Sequence, residues 1–403
     1  MGEADFIRSF VERLHLILKE KRSNDIEDDL VGISSKDDLV GIRSRVEKMI
    51  LDLDLESTDV RIIGICERSG MGKTTLARAV FDKILNQFEA CSFLENVREE
   101  SKAHGLKTLQ ERLLCDIGKG GLRVKDEHKG MQVISDILHN KKALIVVDDV
   151  SERSQLEKLV GKRELFGQGS RIIVTTEDED LLASYEIKIV YKARELNEFE
   201  ALQLFSLNAF HKPNCDNDFS EYCNNFVKYA QGIPLVLKVL GSYLCTRPTN
   251  EWESAQNQLR AIPHEKPTKK LRIAFDGLGA EEKKLFLDIA CFFKGEEKNR
   301  VADILESVYS LDINLKNLID KSLITLVRGE KLWMHKLLQQ MGWEIVSEKS
   351  EEARQSRWLW CCDDVLDVVK NNTVSGLLLR HKFREVYNST IYSCKFLLYL
   401  VVF

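Results

Sequence analysis

Residues 60–84 read Val60-Arg61-Ile62-Ile63-Gly64-Ile65-Cys66-Glu67-Arg68-Ser69-Gly70-Met71-Gly72-Lys73-Thr74-Thr75-Leu76-Ala77-Arg78-Ala79-Val80-Phe81-Asp82-Lys83-Ile84. Val60, Ile62, Ile63 and Ile65 form the short apolar run of a buried parallel strand. Leu76, Val80 and Ile84 recur every four residues, which predicts a helix with one buried face. Between them sits a small turn, Ser69-Gly70-Met71-Gly72, and then Lys73-Thr74-Thr75. Strand, Gly-turn, Lys-Thr and helix is the layout of a phosphate-binding loop. Backbone N–H groups and the helix N-terminus face the anion, Lys73 reaches the outer phosphates, and Thr74 offers its hydroxyl to Mg²⁺. The written motif also asks for glycine at position 67, where this chain has Glu67. A left-handed L-residue there costs roughly 1–2 kcal/mol. The alternative is an ordinary strand–turn–helix that contains Gly-x-Gly-Lys-Thr by chance.

A chain of 403 residues has room for two or three domains. With 44% hydrophobic and 31% charged residues it can bury cores and is not of the disordered type. A net charge of −5 argues against a globally basic nucleic-acid binder. Ten cysteines include no C-x-x-C pair, so neither a zinc ribbon nor a thioredoxin motif is supported, and adjacent Cys361 and Cys362 are expected to be reduced. The opening residues lack a basic n-region followed by an apolar core, so no signal peptide is expected and a reduced, intracellular protein is the default.

Ile7, Val11, Leu14 and Leu18 lie on one stripe of an amphipathic helix. Residues 28–36 and 37–45 are tandem copies of one short segment, a local duplication in a linker rather than a repeat array. The second copy runs into a helical segment and is taken as the working one. After the loop, Cys91 to Leu94 read as a strand, and Leu109, Leu113, Leu114 and Ile117 as a helix. Val133, Ile134, Ile137 and Leu138 mark another helix. Lys141 to Val150 then form a buried strand that ends in Asp148 and Asp149. Acids delivered at the carboxyl end of a strand suit Mg²⁺, a hard ion that takes oxygen ligands; the competing reading makes them a helix N-cap. Arg171 to Thr176 add a further strand, and alternation over residues 58–192 predicts a parallel sheet covered by helices.

From Asn197 the strands stop. Residues to about 262 read as helices interrupted at Gly232-Ile233-Pro234, and Pro263 and Pro267 mark a boundary. Beyond it, Leu285, Phe286, Ile289, Phe292 and Phe293 make an apolar helix. Residues 318–335 read as a helix end and a hairpin, and together these predict a winged-helix-like fold. His104, His128 and His139 are read as surface positions, Trp333, Trp343, Trp358 and Trp360 as packing groups, and Glu348 to Arg357 as a solvated loop. The apolar stretch Phe396 to Phe403 is too short to span a bilayer. It reads as a truncated or altered end, with membrane association as the alternative.

The ordered set of motifs is similar to one family. Asp38-Leu39-Val40-Gly41-Ile42, the Lys73 loop, Phe93 to Glu99, the Asp148-Asp149 strand, Gly169 to Thr176, Gly232 to Leu235, Phe286 to Phe293 and Met334-His335 resemble the NB-ARC nucleotide switch of plant NLR disease-resistance proteins. Two of these stretches resemble the subclass with an N-terminal TIR domain. The resemblance covers about residues 28–370. It implies a P-loop NTPase α/β domain with a parallel sheet (37–194), an all-α helical domain (195–265) and a winged-helix domain (266–370). An N-terminal helix and linker (1–36) would precede them and an atypical tail (371–403) would follow.

The resemblance further implies that ADP is held at rest and exchanged for ATP. Val40 and Gly41 would then flank adenine, while Gly70, Met71, Gly72, Lys73, Thr74 and Thr75 would hold the phosphates. Asp148 and Thr74 would carry Mg²⁺, Asp149 would orient the attacking water, Pro234 would pack on the base, and His335 would reach the ADP β-phosphate. Three residues depart from the family pattern: Glu67, Glu177 in place of an arginine that senses the γ-phosphate, and Lys336 in place of an aspartate that locks the resting state. There is no room for a TIR domain and no leucine-rich repeat after residue 370, so NADase activity is not expected. The expected function is an ADP/ATP switch, at most a slow ATPase, in plant defence signalling. Its partners would be other NLR immune receptors or pathogen-effector complexes, in the cytoplasm and also the nucleus. The alternative is a non-catalytic decoy or scaffold that has lost productive binding. Nucleic-acid binding through the winged helix and a transmembrane segment are not expected.

Overall fold

A computed structural model describes residues 40–261, 266–305, 310–327 and 330–352. The expected helix over 6–22, the first tandem copy, Trp358, Trp360, Cys361, Cys362 and the tail at 371–403 lie outside them. The described residues divide into two compact units, one of residues 40–204 with 231–235, the other of residues 205–230 and the described residues from 236 on.

The first unit opens with α1 (Ile42–Leu53) and β1 (Arg61–Cys66), followed by α2 (Lys73–Ile84), β2 (Ala90–Leu94) and α3 (Val97–Leu114). α4 (Glu127–Leu138), β3 (Ala143–Val150), α5 (Arg153–Leu159), β4 (Arg171–Thr176), α6 (Glu179–Ser184) and β5 (Ile189–Lys192) complete the alternation. The five strands are parallel in the order β2-β3-β4-β1-β5. β1 is therefore flanked by β4 and β5, and the chain leaves it toward the far edge before returning to its other side. Such a switch point opens a crevice at the carboxyl ends of the strands, which is where the Lys73 loop emerges.

The registers Ile62↔Ile172 and Ile63↔Ile173 align apolar residues across β1 and β4. Ile62, Ile145, Val147, Ile172 and Val174 fall on one face, in a core with Leu109, Leu113, Ile134 and Leu138 from α3 and α4. Their alternates Ile63, Ile65, Leu144, Val146 and Ile173 are buried as well, so both faces of the sheet are covered. Gly64 has a packing reason: a Cβ there would lie 2.4 Å from the Leu182 side chain of α6.

Arg171 at the start of β4 is fully buried. Its guanidinium donates to the carbonyls of Leu53 and Asp59 at 2.6 Å, of Ser57 and Ser170 at 2.9 Å, and of Asp54. These bonds pin the α1–β1 linker to the sheet, with the planar guanidinium fork meeting several carbonyls at once.

α3 is longer than its apolar residues indicate and bends at Gly105, φ 79°. It ends in a π-helical turn, Cys115–Lys119. Val133, expected on the buried stripe of α4, is exposed: Ile134 and Leu138 are buried, and Met131 and Ile137 pack against the same core.

Next come α7 (Glu198–Phe210), α8 (Ser220–Ala230), α9 (Pro234–Leu244) and α10 (Thr249–Ala261); residues 198–204 of α7 and Pro234 and Leu235 of α9 belong to the first unit, and the rest to the second. Trp252, 1% exposed, centres an aromatic cluster, with Phe219 at 4.8 Å and Phe210 stacked at 5.5 Å between ring centroids. Cys215 and Cys223 are joined as a disulfide, which the expectation of reduced thiols did not foresee.

α11 (Pro267–Asp276), α12 (Ala280–Asp288), α13 (Lys298–Leu305), α14 (Leu311–Asp320), β6 (Thr325–Val327), β7 (Lys331–Trp333) and α15 (Lys336–Glu352) complete the described chain. The antiparallel β6–β7 hairpin after α14 is the wing. The expected apolar helix instead changes to π-helical winding over Ile289–Phe293. Glu348 to Glu352 continue α15, and Arg272 of α11 pairs with Glu348 at 2.6 Å, so this part of the expected solvated loop is helical.

Candidate functional site

The phosphate-binding loop connects β1 to α2. Gly70 and Gly72 have φ of 83° and 82°, the left-handed region that L-residues adopt only with strain. Both are glycine, and a Cβ at Gly72 would meet nothing within 4 Å, which leaves an open cradle over the start of α2. Glu67 is not among the residues of positive φ, so the strain expected from a missing glycine does not arise. Its N–H extends the β1–β4 ladder to the Thr176 carbonyl at 3.4 Å, and its carboxylate accepts from the Arg68 N–H at 3.0 Å. Met71 is buried and anchors the loop.

Lys73, 8% exposed, folds back over the loop: Nζ donates to the carbonyls of Glu67 at 2.5 Å and Arg68 at 3.0 Å. The ammonium is thereby held above the helix N-terminus, where a phosphate chain would meet both.

Asp148 is fully buried at the carboxyl end of β3. Its Oδ1 accepts from the hydroxyls of Thr175 at 2.6 Å and Thr74 at 2.8 Å. Burial pushes its carboxyl pKa up, against the lowering effect of these two hydrogen bonds. Oδ2 of Asp148 and the Ser69 hydroxyl are buried without a hydrogen-bond partner. A buried carboxylate oxygen left bare costs free energy unless something charged or hydrogen-bonding meets it. These orphaned oxygens, the hydroxyl of Thr74 and the glycine cradle fit a Mg²⁺-bound phosphate group.

The helix-cap reading of the two acids fails. Glu152 caps α5, and Asp148 and Asp149 lie within β3. The β3–β4 register slips between Val147↔Val174 and Val150↔Thr176, which places one extra residue on β3. This bulge leaves Asp149 with φ 57°. Its N–H finds the Thr175 hydroxyl at 2.8 Å in place of a ladder carbonyl. Thr175 thus serves both acids, accepting from one backbone and donating to the other side chain. Asp149 turns outward and pairs with Arg98 of α3 at 2.7 Å. Arg98 is also 3.7 Å from Glu177, whose carboxylate lies 3.9 Å from Lys73 Nζ.

The proposed base-binding residues reach the same rim of this unit. Gly41 caps α1 with φ 66°, and its carbonyl accepts from Arg45 at 3.0 Å. Arg45 pairs with Glu200 at 2.9 Å and donates to the Glu195 carbonyl at 3.4 Å, while the Glu195 carboxylate pairs with Arg68 of the loop at 2.6 Å. The Leu196 N–H donates to the Gly232 carbonyl at 2.9 Å, and the Leu235 N–H to that of Gly70 at 3.3 Å. Gly41 and the backbone of the Gly232–Leu235 segment are therefore tied to the phosphate loop, with Val40 and Pro234 adjacent in sequence to these anchored residues. Thr75 is half-buried in the first turn of α2.

His335 belongs to the other unit, where its Nδ1 accepts from the Leu337 N–H at 3.1 Å at the start of α15. In a neutral ring this leaves the proton on Nε2.

Thr175, Arg98 and Ser69 carried no assigned role from sequence. Thr175 and Thr176 had a legible signal, since two hydroxyls end an otherwise apolar strand. Arg98 had none, because its partners lie on two other elements.

A glycine loop with lysine and threonine opening a helix, beside a strand that ends in buried acid, defines a P-loop nucleotide-binding protein. Residues 42–215 match the NB-ARC domain, and residues 279–350 match the winged-helix domain of Roq1-like disease resistance proteins. The chain is 43% identical over 367 residues to disease resistance protein RUN1 of Vitis rotundifolia, an alignment of 90% of this chain and 27% of that protein. With TMV resistance protein N of Nicotiana glutinosa it shares 36% over 379 residues, 92% of this chain and 32% of that one. The chain thus spans about a quarter to a third of the length of these relatives. A STAND protein with a tetratricopeptide repeat sensor from Pyrococcus horikoshii aligns over 80% of this chain and 45% of its own, at 17% identity and a TM-score of 0.48. The protein carries an NB-ARC nucleotide-binding domain followed by a winged-helix domain, as plant disease-resistance proteins do. No helix among the described residues is long and apolar enough to cross a membrane.

Proposed function

We propose that this chain is an adenine-nucleotide switch module that holds ADP at rest and exchanges it for ATP. The observation that carries the reading is the bare, buried Oδ2 of Asp148, whose Oδ1 is tied to the Thr74 hydroxyl. That pair has the chemistry to carry Mg²⁺, which would neutralise phosphate charge. Lys73 and the loop amides hold the phosphates, with Ser69 lending its unpartnered hydroxyl. Val40, Gly41 and Pro234 flank the base, and His335 is the residue that the family resemblance assigns to the β-phosphate. Asp149 orients a water, so the chain is at most a slow ATPase.

By its likeness to disease resistance proteins, the module acts in plant defence signalling. Its partners are immune receptors or effector complexes in the cytoplasm, with the nucleus as a second compartment. The scaffold reading draws on Glu177, a carboxylate held 3.9 Å from Lys73. Thermal melting separates the two: ADP with Mg²⁺ should raise the Tm of the native chain and leave Lys73→Ala unmoved. A native Tm indifferent to ADP supports the scaffold.

A further inference from the structure

Lys73, Glu177, Arg98 and Asp149 form one chain of alternating charge in the first unit. Lys73 Nζ lies 3.9 Å from Glu177 Oε1, Arg98 lies 3.7 Å from Glu177 Oε2, and Arg98 lies 2.7 Å from Asp149 Oδ1. The Glu177 side chain is 30% exposed and that of Lys73 is 8% exposed, so this is a partly desolvated cleft rather than a solvated surface. Arg98 and Glu177 also border a neighbouring cavity of about 400 Å³, lined further by Val150, Ser151, Thr176 and Asp178 to Asp180 and by no residue of the phosphate loop. Lysine in a phosphate-binding loop is the cation that reaches the β- and γ-phosphates. Here that cation already has a carboxylate beside it, and the two cations and two anions sum to zero before any ligand arrives.

We propose that Glu177 is a specificity-determining residue that selects nucleoside diphosphate over triphosphate by standing as a fixed anion where a terminal phosphate would draw on Lys73 and Arg98. This rests on the nucleotide-binding reading above and deepens it. A diphosphate needs only the loop amides and Lys73. A triphosphate brings one more phosphate and more negative charge to a lysine whose field is already half-answered by Glu177. It must either displace the carboxylate or accept repulsion from it. Like charges a few ångströms apart in a partly desolvated cleft interact far more strongly than in bulk water, and specificity built from repulsion is a difference of affinities. Arg98 is itself paired with Asp149, and Glu177 stands between Arg98 and Lys73, within ion-pair distance of both. The device is selective because its penalty scales with phosphate charge, whereas base and ribose contacts are untouched.

The test is the ratio of dissociation constants for ADP and a non-hydrolysable ATP analogue, both with Mg²⁺, measured by calorimetry on the full chain. Glu177→Gln keeps the shape and removes the charge. It should tighten the ATP analogue about tenfold and change ADP less than about threefold, since tenfold corresponds to about 1.4 kcal/mol. Glu177→Ala should move the ratio the same way, which guards against an effect of the glutamine itself. A purely structural role would weaken both nucleotides together and leave the ratio where it was; that result overturns the proposal while leaving nucleotide binding intact. If neither nucleotide binds the native chain or the variants, and all melt cooperatively, the nucleotide-binding reading falls and this proposal with it.

Discussion

The Thr74 hydroxyl at the start of α2 and Oδ1 of Asp148 at the end of β3 are joined by a 2.8 Å hydrogen bond across residues 74 positions apart. One end belongs to the loop that receives phosphates, the other to the strand that delivers acid, and the parallel sheet sets the distance between them. Thr74→Val keeps the side-chain volume and removes the hydroxyl. It should abolish most of the gain in ADP affinity on adding Mg²⁺ to an EDTA-treated sample, with a loss of about tenfold. Equal Mg²⁺ dependence in the two proteins would show that Thr74 has no part in the metal site.

Lys73→Ala removes the only loop ammonium and a donor to the Glu67 and Arg68 carbonyls. Charge-assisted hydrogen bonds are worth roughly 1.5–3 kcal/mol each. Nucleotide affinity should therefore fall by more than tenfold, read as loss of retained nucleotide after gel filtration. Lys73→Arg should fail to restore it, because the planar fork does not fit between two carbonyls that an ammonium bridges.

Arg171 should be among the costliest single positions in the α/β unit. Arg171→Met leaves the carbonyls of Leu53, Asp54, Ser57, Asp59 and Ser170 without their shared donor. Removing one partner from a buried charged network costs about 3–5 kcal/mol. Urea unfolding should show the unfolding free energy lowered by that amount, and a loss under 1 kcal/mol would mean water replaces the guanidinium freely.

Gly232 has φ 66°, and a Cβ there would sit 2.5 Å from the Leu196 carbonyl oxygen. Gly232→Ala therefore combines left-handed strain of roughly 1–2 kcal/mol with a backbone clash. Gly105, φ 79°, has nothing within 4 Å of its would-be Cβ. Gly105→Ala should lower the Tm less, and only Gly232→Ala should also weaken nucleotide binding through the Gly70–Leu235 contact.

Glu282 makes part of the stability of the second unit depend on acid. Burial pulls its carboxyl up, but Lys321 at 2.8 Å, the Gly279 N–H and Asn317 together hold it below its ordinary value of 4.5. A depressed carboxyl stabilises the fold above the unfolded value, and this contribution is lost as pH falls through the lower folded value. Melting followed from pH 6 down to pH 3 should show the native chain losing stability relative to Glu282→Gln below about pH 4.5. Parallel curves for the two would remove Glu282 from the account.

Much of the site was legible because its residues act locally. Gly70, Gly72, Lys73 and Thr74 are neighbours in sequence, and Ala143 to Val150 announce a buried strand before Asp148 appears. The helix-to-hairpin signal of residues 318–335 was local in the same sense. What could not be read depends on distance or geometry. Arg171 looks like any cation at a strand start, until the α1–β1 linker wraps its carbonyls around it. The bulge at Asp149 is a register slip between two strands, and Arg98 acquires meaning only from Asp149 and Glu177. The penalty assigned to Glu67 rested on a required left-handed backbone, and the loop places that requirement at Gly70 and Gly72 instead. The π-helical windings at Cys115–Lys119 and Ile289–Phe293 leave the apolar pattern unchanged and so gave no signal.

The most direct measurement is the identity and amount of nucleotide that co-purifies with the recombinant chain, released by denaturation and resolved by chromatography. The account predicts ADP at close to one per chain and little ATP, since Lys73 and the loop retain the diphosphate while Glu177 disfavours the third phosphate. A protein that melts cooperatively yet releases no nucleotide would contradict it.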